Sequence, residues 1–108
     1  MSRLDENDDL PTLAEIDRLV HEPARMAVMS LLYVVERADF TFLMNQTGLT
    51  WGNLSAHMAK LEEGGYIEVA KAFKGKRPNT TLRLTDQGRL AFRKYALQMK
   101  QVFGDFEG

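Results

Sequence analysis

The stretch LTWGNLSAHMAKLEEGGYI, residues 49–67, narrows the folds open to this chain more than any other. Its apolar residues recur on one side of a helix that advances by about 100° per residue: Leu54, Met58 and Leu61. Gly64 and Gly65 then stop the helix, because glycine adopts the left-handed C-terminal conformation at little steric cost. The pattern predicts a helix that is capped by Thr50, ends near Glu63 and leads directly into a new element.

The opposite side of this helix carries mostly small side chains. It consists of Gly52, Asn53, Ser55, Ala56, Ala59, Lys60 and Glu63. A face that contacts only water usually carries long polar residues that favour helix formation, whereas glycine costs about 1 kcal/mol there. Clearance for the DNA major groove, which is about 12 Å wide, would explain the small residues, and so would packing against another protein segment.

A β-hairpin is predicted directly after this helix. YIEVAKAF and TTLRLT have the β-branched and aromatic content of strands, and the KGKRPN between them has the composition of a turn. The hairpin tip carries four cations and two polar residues: Lys71, Lys74, Lys76, Arg77, Asn79 and Thr80. Such side chains would contact DNA phosphates, although solvated loops carry similar residues. The neighbouring hairpin therefore favours DNA over protein as the partner of the small-residue face.

Two helices are predicted at the start of the chain. Thr12 and Glu15 have the spacing of a capping box, and the apolar residues that follow predict a first helix ending near His21. Pro23 suits the first turn of a second helix. Its sequence ARMAVMSLLYVVE is apolar almost all round, which indicates a central buried helix at about 23–36.

The complete element order is that of a winged helix-turn-helix. RAD is predicted as a turn, and Asp39 as the cap of a short helix. A last, long helix follows the hairpin. The fold class is therefore mainly α with a small β-hairpin (α+β), in a single domain at 12–108 after a polar N-terminal tail at 1–11. This domain comprises a helix-turn-helix at 39–63, a wing at 66–85 and a C-terminal dimerisation helix at 86–104.

The last helix carries an apolar stripe that predicts a homodimer. The stripe extends beyond what a small core can cover, so a partner would have to bury it, together with the first helix. The predicted interface consists of Leu13, Ile16, Val20, Phe92, Tyr95, Met99, Val102, Phe103 and Phe106. Packing of the stripe wholly within its own chain is the alternative.

Composition excludes several other classes of protein. The 108 residues include no cysteine and two histidines, which excludes disulfides and thiolate metal sites and makes a histidine metal site unexpected. No apolar run approaches the ~18 residues that cross a bilayer, and the acidic start lacks the apolar region of a signal peptide. We expect a cytoplasmic protein with no cofactor and no membrane contact. The net charge of −1 conceals a contrast, since residues 50–85 contain six basic and three acidic residues.

These motifs together resemble winged-helix transcriptional regulators of the MarR/ArsR type. GLTWGNLSAHMAKLEEGGYIEV and KGKRPNTTLRLTDQGRLAF are similar to the core of this family, and HEPARMAVMSLL, with His21, Pro23 and Arg25, is similar to its opening helix. The family's recognition helix commonly reads Leu-Ser-x-His-x-x-x-Leu-Glu-x-x-Gly, here Leu54 to Gly65. The end of its wing reads Leu-Thr-x-x-Gly-Arg, here Leu84 to Arg89.

The resemblance implies double-stranded DNA as a partner and a homodimer that reads a pseudo-palindromic site. With the residue pattern, it assigns to the recognition helix Thr50, Trp51, Gly52, Asn53, Ser55, Ala56, His57, Ala59 and Lys60. The wing would place Lys71, Lys74, Lys76, Arg77, Asn79 and Thr80 on the flanking backbone. A small-molecule effector at the dimer interface, as in many MarR-type proteins, remains open. Metal sensing through cysteines, as in many ArsR-type proteins, is excluded.

Two residues of the predicted recognition helix each keep two interpretations. Trp51 would either pack on the preceding helix or contact a sugar or a thymine methyl group. His57 would be either a hydrogen-bonded residue at the edge of the core or a phosphate contact.

An enzyme is not expected. The chain has no glycine-rich phosphate loop, and Ser55 and His57 lie two residues apart on a helix, where side chains do not face each other. The alternative function is a winged-helix protein–protein interaction module without DNA binding, since one fold serves both uses. Such a module would more often carry apolar anchors where a DNA-binding protein has small residues and cations.

Overall fold

The structure describes residues 12–104. Each of the four α-helices in this range begins after a residue whose side chain accepts a hydrogen bond from a backbone N–H group of the first turn. In the computed structural model these caps are Glu22 for α1 (Pro23–Val34), Asp39 for α2 (Phe40–Thr47), Thr50 for α3 (Trp51–Glu63) and Thr85 for α4 (Asp86–Phe103). Such caps satisfy backbone N–H groups that have no partner within the helix. The predicted caps Asp39 and Thr50, and the predicted end of α3 near Glu63, agree with these bounds.

A three-stranded antiparallel sheet accompanies the helices. Its strands β1 (Ala38–Asp39), β2 (Ile67–Lys74) and β3 (Arg77–Leu84) lie in the order β1-β3-β2. In the β2–β3 hairpin Ile67 pairs with Leu84 and Val69 with Leu82, which places apolar side chains of both strands on one face. The predicted fold class, mainly α with a small sheet in a winged helix-turn-helix layout, is confirmed.

One apolar core joins the helices to the base of the hairpin. Its most deeply buried members are Val20, Val28, Met29, Leu32, Leu43, Leu54, Met58, Leu61, Ile67 and Leu82. Because Leu54 and Leu61 point into this core, the opposite side of α3 faces outward. Within residues 12–104, no helix is long and apolar enough to cross a lipid bilayer.

The segment before α1 differs from the helix predicted there. Only Leu13–Glu15 form a short 3₁₀ helix. The Asp17 carboxylate accepts hydrogen bonds from the backbone N–H groups of Leu19 and Val20, at 2.9 and 3.4 Å, and from the hydroxyl of Tyr66. An aspartate that binds nearby backbone groups stabilises a turn in competition with a helix. The prediction of a full first helix is therefore wrong.

The central helix α1 is shorter and less buried than its apolar sequence predicts. It ends at Val34 and not near residue 36, and Val34 is 81% exposed. Only one side of α1 faces the core. The predicted RAD turn is also wrong in part, because Ala38 and Asp39 form β1 and pair with β3.

The hairpin turn is tighter than the predicted KGKRPN. Lys74 pairs with Arg77, and only Gly75 and Lys76 lie between them. Gly75 has a φ of 68°, which two-residue hairpin turns favour. Proline rarely lies in a strand with neighbours on both sides, but near Pro78 the outer edge of β3 is unpaired, since β1 reaches only Thr81 and Leu82.

The start of α4 is fixed to the base of the hairpin. The Thr85 hydroxyl donates a hydrogen bond to the Gly65 carbonyl at 2.6 Å. The Arg89 guanidinium lies 4.8 Å from the centre of the Tyr33 ring on α1, a cation–π contact. The Leu-Thr-x-x-Gly-Arg motif therefore has a structural role, because it attaches α4 to both the hairpin and α1.

Candidate nucleic-acid interface

The small-residue face of α3 lies on the outside of the protein. Gly52, Ala56 and Ala59 are exposed, and Ser55 is half-buried. A Cβ atom added to Gly52 would meet no atom within 4 Å. Another molecule can therefore approach the backbone of α3 closely along this face.

The hairpin borders the same face of α3. A groove of about 260 Å³ lies between the helix and the hairpin. Ser55 and Ala59 line it from α3, and Lys71 and Thr80, which pair across the two strands, line it from the hairpin. The helix and the hairpin thus form one concave surface, which we call the α3–hairpin surface. Its polar and charged lining also includes the acidic Glu62.

The cations predicted at the hairpin tip are all exposed. Lys74 and Arg77 pair directly across the tip, and Lys76 lies in the turn between them. Arg83, farther along β3, instead forms an ion pair with Glu68 at 2.6 Å. The positive field of the hairpin is therefore concentrated at its tip, where it attracts anions.

Phe73 is an exposed aromatic residue that the sequence pattern did not identify as functional. It lies on the same face of β2 as Val69 and Lys71 and pairs with Pro78. The hairpin extends beyond the core, so Phe73 is 73% exposed. An apolar side chain among cations is a combination that minor-groove-binding proteins use.

Residues at the start of α3 divide between structural and accessible positions. The Thr50 hydroxyl oxygen accepts a hydrogen bond from the Asn53 backbone N–H at 3.2 Å and so caps the helix. Trp51 has its ring centre 6.2 Å from that of Phe40 on α2, yet it is 63% exposed. Packing on the preceding helix therefore covers only part of Trp51. The rest of its ring and the exposed side chain of Asn53 are accessible to a partner.

Farther along α3, His57 contacts the start of α1, whereas Lys60 is exposed. The His57 Nδ1 atom lies 3.0 Å from Arg25 Nη1 and 3.7 Å from a Glu22 carboxylate oxygen. This contact agrees with the interpretation of His57 as a hydrogen-bonded residue at the edge of the core. In the sequence, Arg25 stands out only through the resemblance of HEPARMAVMSLL to the opening helix of the family. Periodicity gives no sign of its contact with α3.

Residues predicted at the dimer interface form an apolar groove of about 410 Å³ on another part of the protein. They are Leu13, Ile16, Met99, Val102 and Phe103, and we call this set the terminal apolar surface. Arg18 and His21 line the same groove. The segment before α1, which we call the first segment, and α4 thus line one groove within the same chain, although the first segment is not a full helix.

Other residues predicted at the dimer interface lie elsewhere. Val20 and Tyr95 are buried in the core of their own chain, so a partner cannot reach them and their assignment to the interface is corrected. The Tyr95 hydroxyl lies 2.7 Å from His21 Nδ1, and burial raises the pKa of Tyr95. Phe92 is half-buried against Tyr33, with 5.5 Å between ring centres. Phe106 lies outside the described residues.

Metal-ligating side chains do not cluster in the described part of the chain. Within residues 12–104, no group of three His, Cys, Asp or Glu side chains is placed to hold a metal ion.

Comparison with known proteins identifies the family. Residues 24–103 match the model of the winged helix DNA-binding domain. The chain belongs to this family. The resemblance to winged-helix transcriptional regulators is confirmed, and the protein is a DNA-binding regulator and not an enzyme.

Relatives in sequence and structure agree with this membership. An uncharacterized protein of Methanocaldococcus jannaschii is 33% identical over 90 residues, which cover 83% of this chain and 98% of that protein. The transcriptional regulator homologue protein from Pyrococcus horikoshii OT3 has a TM-score of 0.78 and 26% identity, covering 85% of this chain and 91% of that one. The PcaV transcriptional regulator from Streptomyces coelicolor, in complex with its natural ligand, has a TM-score of 0.72 over 96% of this chain and 72% of that one. At 20% identity, this last likeness concerns the fold.

The elements of this chain correspond to those of a winged helix-turn-helix. The helix-turn-helix consists of α2 and α3, joined by a turn in which Gly48 has a φ of 76°. The helix α3 occupies the position of the recognition helix, and the β2–β3 hairpin is the wing.

Proposed function

We propose that this protein is a cytoplasmic transcriptional regulator that binds a pseudo-palindromic operator as a homodimer. In each protomer α3 enters the major groove, and the wing lies along the flanking DNA backbone. One observation carries the proposal: the small-residue face of α3 and the lysine-bearing wing border a single concave surface, where Ser55 and Ala59 lie across from Lys71 and Thr80.

Steric clearance supports the position of α3. A helix with side chains is about 10–12 Å across, nearly the width of the major groove, so bulky residues would hold its backbone away from the bases. Gly52, Ala56 and Ala59 avoid such contacts, and Asn53 and Ser55 offer short polar groups for base edges.

Charge supports the position of the wing. Lys74, Lys76 and Arg77 are exposed at the tip and reach beyond the core of the domain. Long cationic side chains of this kind form charge-assisted hydrogen bonds with phosphate oxygens. Asn79 and Thr80 follow on β3 and add neutral donors to the same strand.

The terminal apolar surface supports the homodimer. Leu13 and Phe103 are exposed, and the groove that they line with Val102 is almost wholly apolar. Burial of this surface against a second copy would remove apolar area from water. A two-fold dimer would present two copies of α3 to successive major grooves, about 34 Å apart.

The same groove supports a small-molecule effector at the dimer interface. Its volume of about 410 Å³ lies within the range typical of small-ligand pockets, and Arg18 and His21 give its apolar wall two polar groups. A ligand bound there would contact both the first segment and α4, and so would alter how two protomers pack.

A second candidate function is protein–protein interaction without DNA contact. It is favoured by the exposure of two large apolar side chains, Trp51 and Phe73, at the α3–hairpin surface. Exposed aromatic residues are enriched at protein interfaces. The cations at the wing tip favour DNA, since the cores of protein interfaces are depleted in lysine.

Salt-dependent DNA binding tests the proposal. Fluorescence anisotropy with duplex DNA, from ~50 to ~200 mM salt, should give a logarithmic affinity that falls linearly with logarithmic salt concentration. The double substitution Lys74→Ala with Lys76→Ala should reduce this slope by up to about 1.8, since each phosphate-contacting lysine accounts for ~0.9.

The matched control is Lys94→Ala with Lys100→Ala, which removes the same charge from exposed positions on α4. It should leave the slope nearly unchanged. Absent binding at ~50 mM salt, or an affinity independent of salt, would refute the DNA-binding mode and favour the interaction module.

A further inference from the structure

Arg25 is a buried cation that links the turn before α1 to the recognition helix. Its side chain is 9% exposed. Its Nε atom donates a hydrogen bond to the Leu19 carbonyl at 2.6 Å, and its Nη2 atom donates to the Arg18 carbonyl at 3.4 Å. Its Nη1 atom lies 3.0 Å from His57 Nδ1 on α3. Charged side chains are rarely buried without such partners, and here each guanidinium nitrogen has its own partner.

The contact with Arg25 determines which nitrogen of His57 carries its proton. An arginine guanidinium can only donate hydrogen bonds, so Nδ1 of His57 must accept. The proton of the neutral imidazole then lies on Nε2, because the bond made by one ring nitrogen sets the state of the other. Glu22 is the competing group, since its carboxylate oxygen lies 3.7 Å from Nδ1. That distance exceeds a hydrogen bond, and the same oxygen accepts the Arg25 backbone N–H at 2.8 Å.

Because Nδ1 contacts Arg25, the Nε2 atom of His57 lies on the other side of the imidazole ring. His57 lines a groove of about 340 Å³ with Asn53 on α3, with Thr47, Pro23 and Ala24, and with the acidic Glu22. Among the described residues, Nε2 has no hydrogen-bond partner. His57 follows Asn53 by about one helical turn, so an N–H donor on its ring lies on the same side of α3 as Asn53, next to the small-residue face.

We propose that Arg25 is a positioning residue for DNA binding, which holds His57 as the Nε2–H tautomer so that this N–H donates to a DNA phosphate beside α3. The inference rests on the proposed function, because it assigns one more contact to the same interface. It also gives the buried arginine a role that packing alone does not explain, since a residue that only filled space would not need to present donors to His57.

The tautomer can be measured in the wild-type protein without DNA. Two-dimensional ¹⁵N NMR of the histidine side chains at neutral pH should show His57 with an unprotonated Nδ1 and a protonated Nε2. A proton on Nδ1, in either the other tautomer or the imidazolium, overturns the inference. His21, whose Nδ1 contacts the Tyr95 hydroxyl, provides the internal comparison.

Two substitutions of His57 separate the two ring nitrogens. The amide nitrogen of glutamine lies near the place of Nε2, whereas that of asparagine lies near the place of Nδ1. His57→Gln should bind duplex DNA within about threefold of wild type. His57→Asn should bind about tenfold more weakly, which is the loss expected for one hydrogen bond to a charged group. Equal affinities of His57→Asn and wild type overturn the inference.

A double-mutant cycle with Arg25→Lys distinguishes positioning from a purely structural role. A lysine cannot donate from three fixed nitrogens, so Arg25→Lys should allow both His57 tautomers and weaken DNA binding. In the His57→Gln background, where no tautomer has to be set, Arg25→Lys should have little further effect. An equal loss of affinity in both backgrounds would mean that Arg25 acts only through the fold, and would overturn the inference. Circular dichroism melting confirms that each variant is folded.

The outcomes also separate this inference from the proposed function. If wild-type protein binds no DNA, both are overturned, whatever the tautomer of His57. If wild-type protein binds DNA with the predicted salt slope but His57→Asn binds equally well, only the role of Arg25 and His57 is overturned.

Discussion

Gly88 lies directly against the carbonyl group of Tyr66. A Cβ atom placed on Gly88 would lie 2.0 Å from the Tyr66 carbonyl oxygen, which also accepts a hydrogen bond from the Thr85 backbone N–H at 3.0 Å. The first turn of α4 can therefore approach the base of the wing only because position 88 has no side chain. This approach fixes the direction in which α4 leaves the domain, and so the position of the terminal apolar surface relative to the wing.

Gly88→Ala should destabilise the protein by about 2–3 kcal/mol, the usual cost of overpacking a rigid site, because the new methyl group meets backbone atoms that cannot move aside. Urea unfolding followed by circular dichroism measures the change. Gly52→Ala is the control, since its added methyl group meets no atom within 4 Å. The control should be stabilised by up to ~1 kcal/mol, the difference in helix propensity. Equal stabilities of the two variants would contradict the close approach at Gly88.

Tyr66→Phe should lower the stability at neutral pH by about 1–3 kcal/mol, because Asp17 loses a hydrogen-bond donor. Burial, and then the hydrogen bond to Asp17 and its charge, raise the pKa of Tyr66 to about 12. The stabilisation by the neutral hydroxyl is thus complete below the unfolded pKa of about 10, and is lost as the pH rises toward 12.

In urea unfolding experiments, the difference in the free energy of unfolding between wild type and Tyr66→Phe should therefore decrease between about pH 10 and pH 12. Tyr33→Phe is the control, because a hydrogen bond from Arg93 lowers the pKa of Tyr33. The difference in the free energy of unfolding between wild type and Tyr33→Phe should not decrease over this pH interval. If the difference in the free energy of unfolding between wild type and Tyr66→Phe stayed constant with pH, the hydrogen bond from Tyr66 to Asp17 would not be the source of the stabilisation.

Ala56→Gln should weaken DNA binding at least about tenfold, because a long side chain on the open face of α3 would hold the helix away from the groove. Glutamine is a good helix former, so the fold should tolerate it. Ala56→Ser keeps the side chain small and should bind nearly as well as wild type. Anisotropy titrations with one operator-containing duplex compare the three proteins. Wild-type affinity of Ala56→Gln would argue against the groove position of α3.

Val102→Lys should shift the protein toward monomers, because it places a charge in the terminal apolar surface, where a second copy would bury it. Leu97→Lys is the matched control, since Leu97 is also exposed on α4 but lies on the side opposite the apolar stripe. It should leave the dimer intact. Sedimentation equilibrium at micromolar concentration measures the association. Equal weakening by both substitutions would place the dimer surface elsewhere on α4.

The sequence by itself determined the elements whose signals are local. Asp39, Thr50 and Thr85 are short polar side chains that cap their helices through bonds three residues away, and such bonds form wherever the chain turns into a helix. The apolar spacing of α3 likewise determined its buried side, and with it the small-residue face. The wing strands followed from composition, although the extent of β3 through Pro78 depended on which of its edges was paired.

The tertiary structure decided the features that depend on residues distant in the chain. Thr12 and Glu15 gave a correct local signal for a helical turn, but the Tyr66 hydroxyl, 49 residues away from Asp17, helps to hold the following segment as a turn. The Nδ1 atom of His57 contacts the guanidinium of Arg25, which lies 32 residues earlier in the chain. Neither contact can be recognised from the apolar periodicity of the sequence. A single side chain that contacts a distant element does not alter the spacing of apolar residues within its own helix or turn. The physical reason for the division is therefore the range of the interaction: caps and amphipathic faces act within a turn or two, whereas a buried guanidinium or hydroxyl finds its partner only after the core has formed.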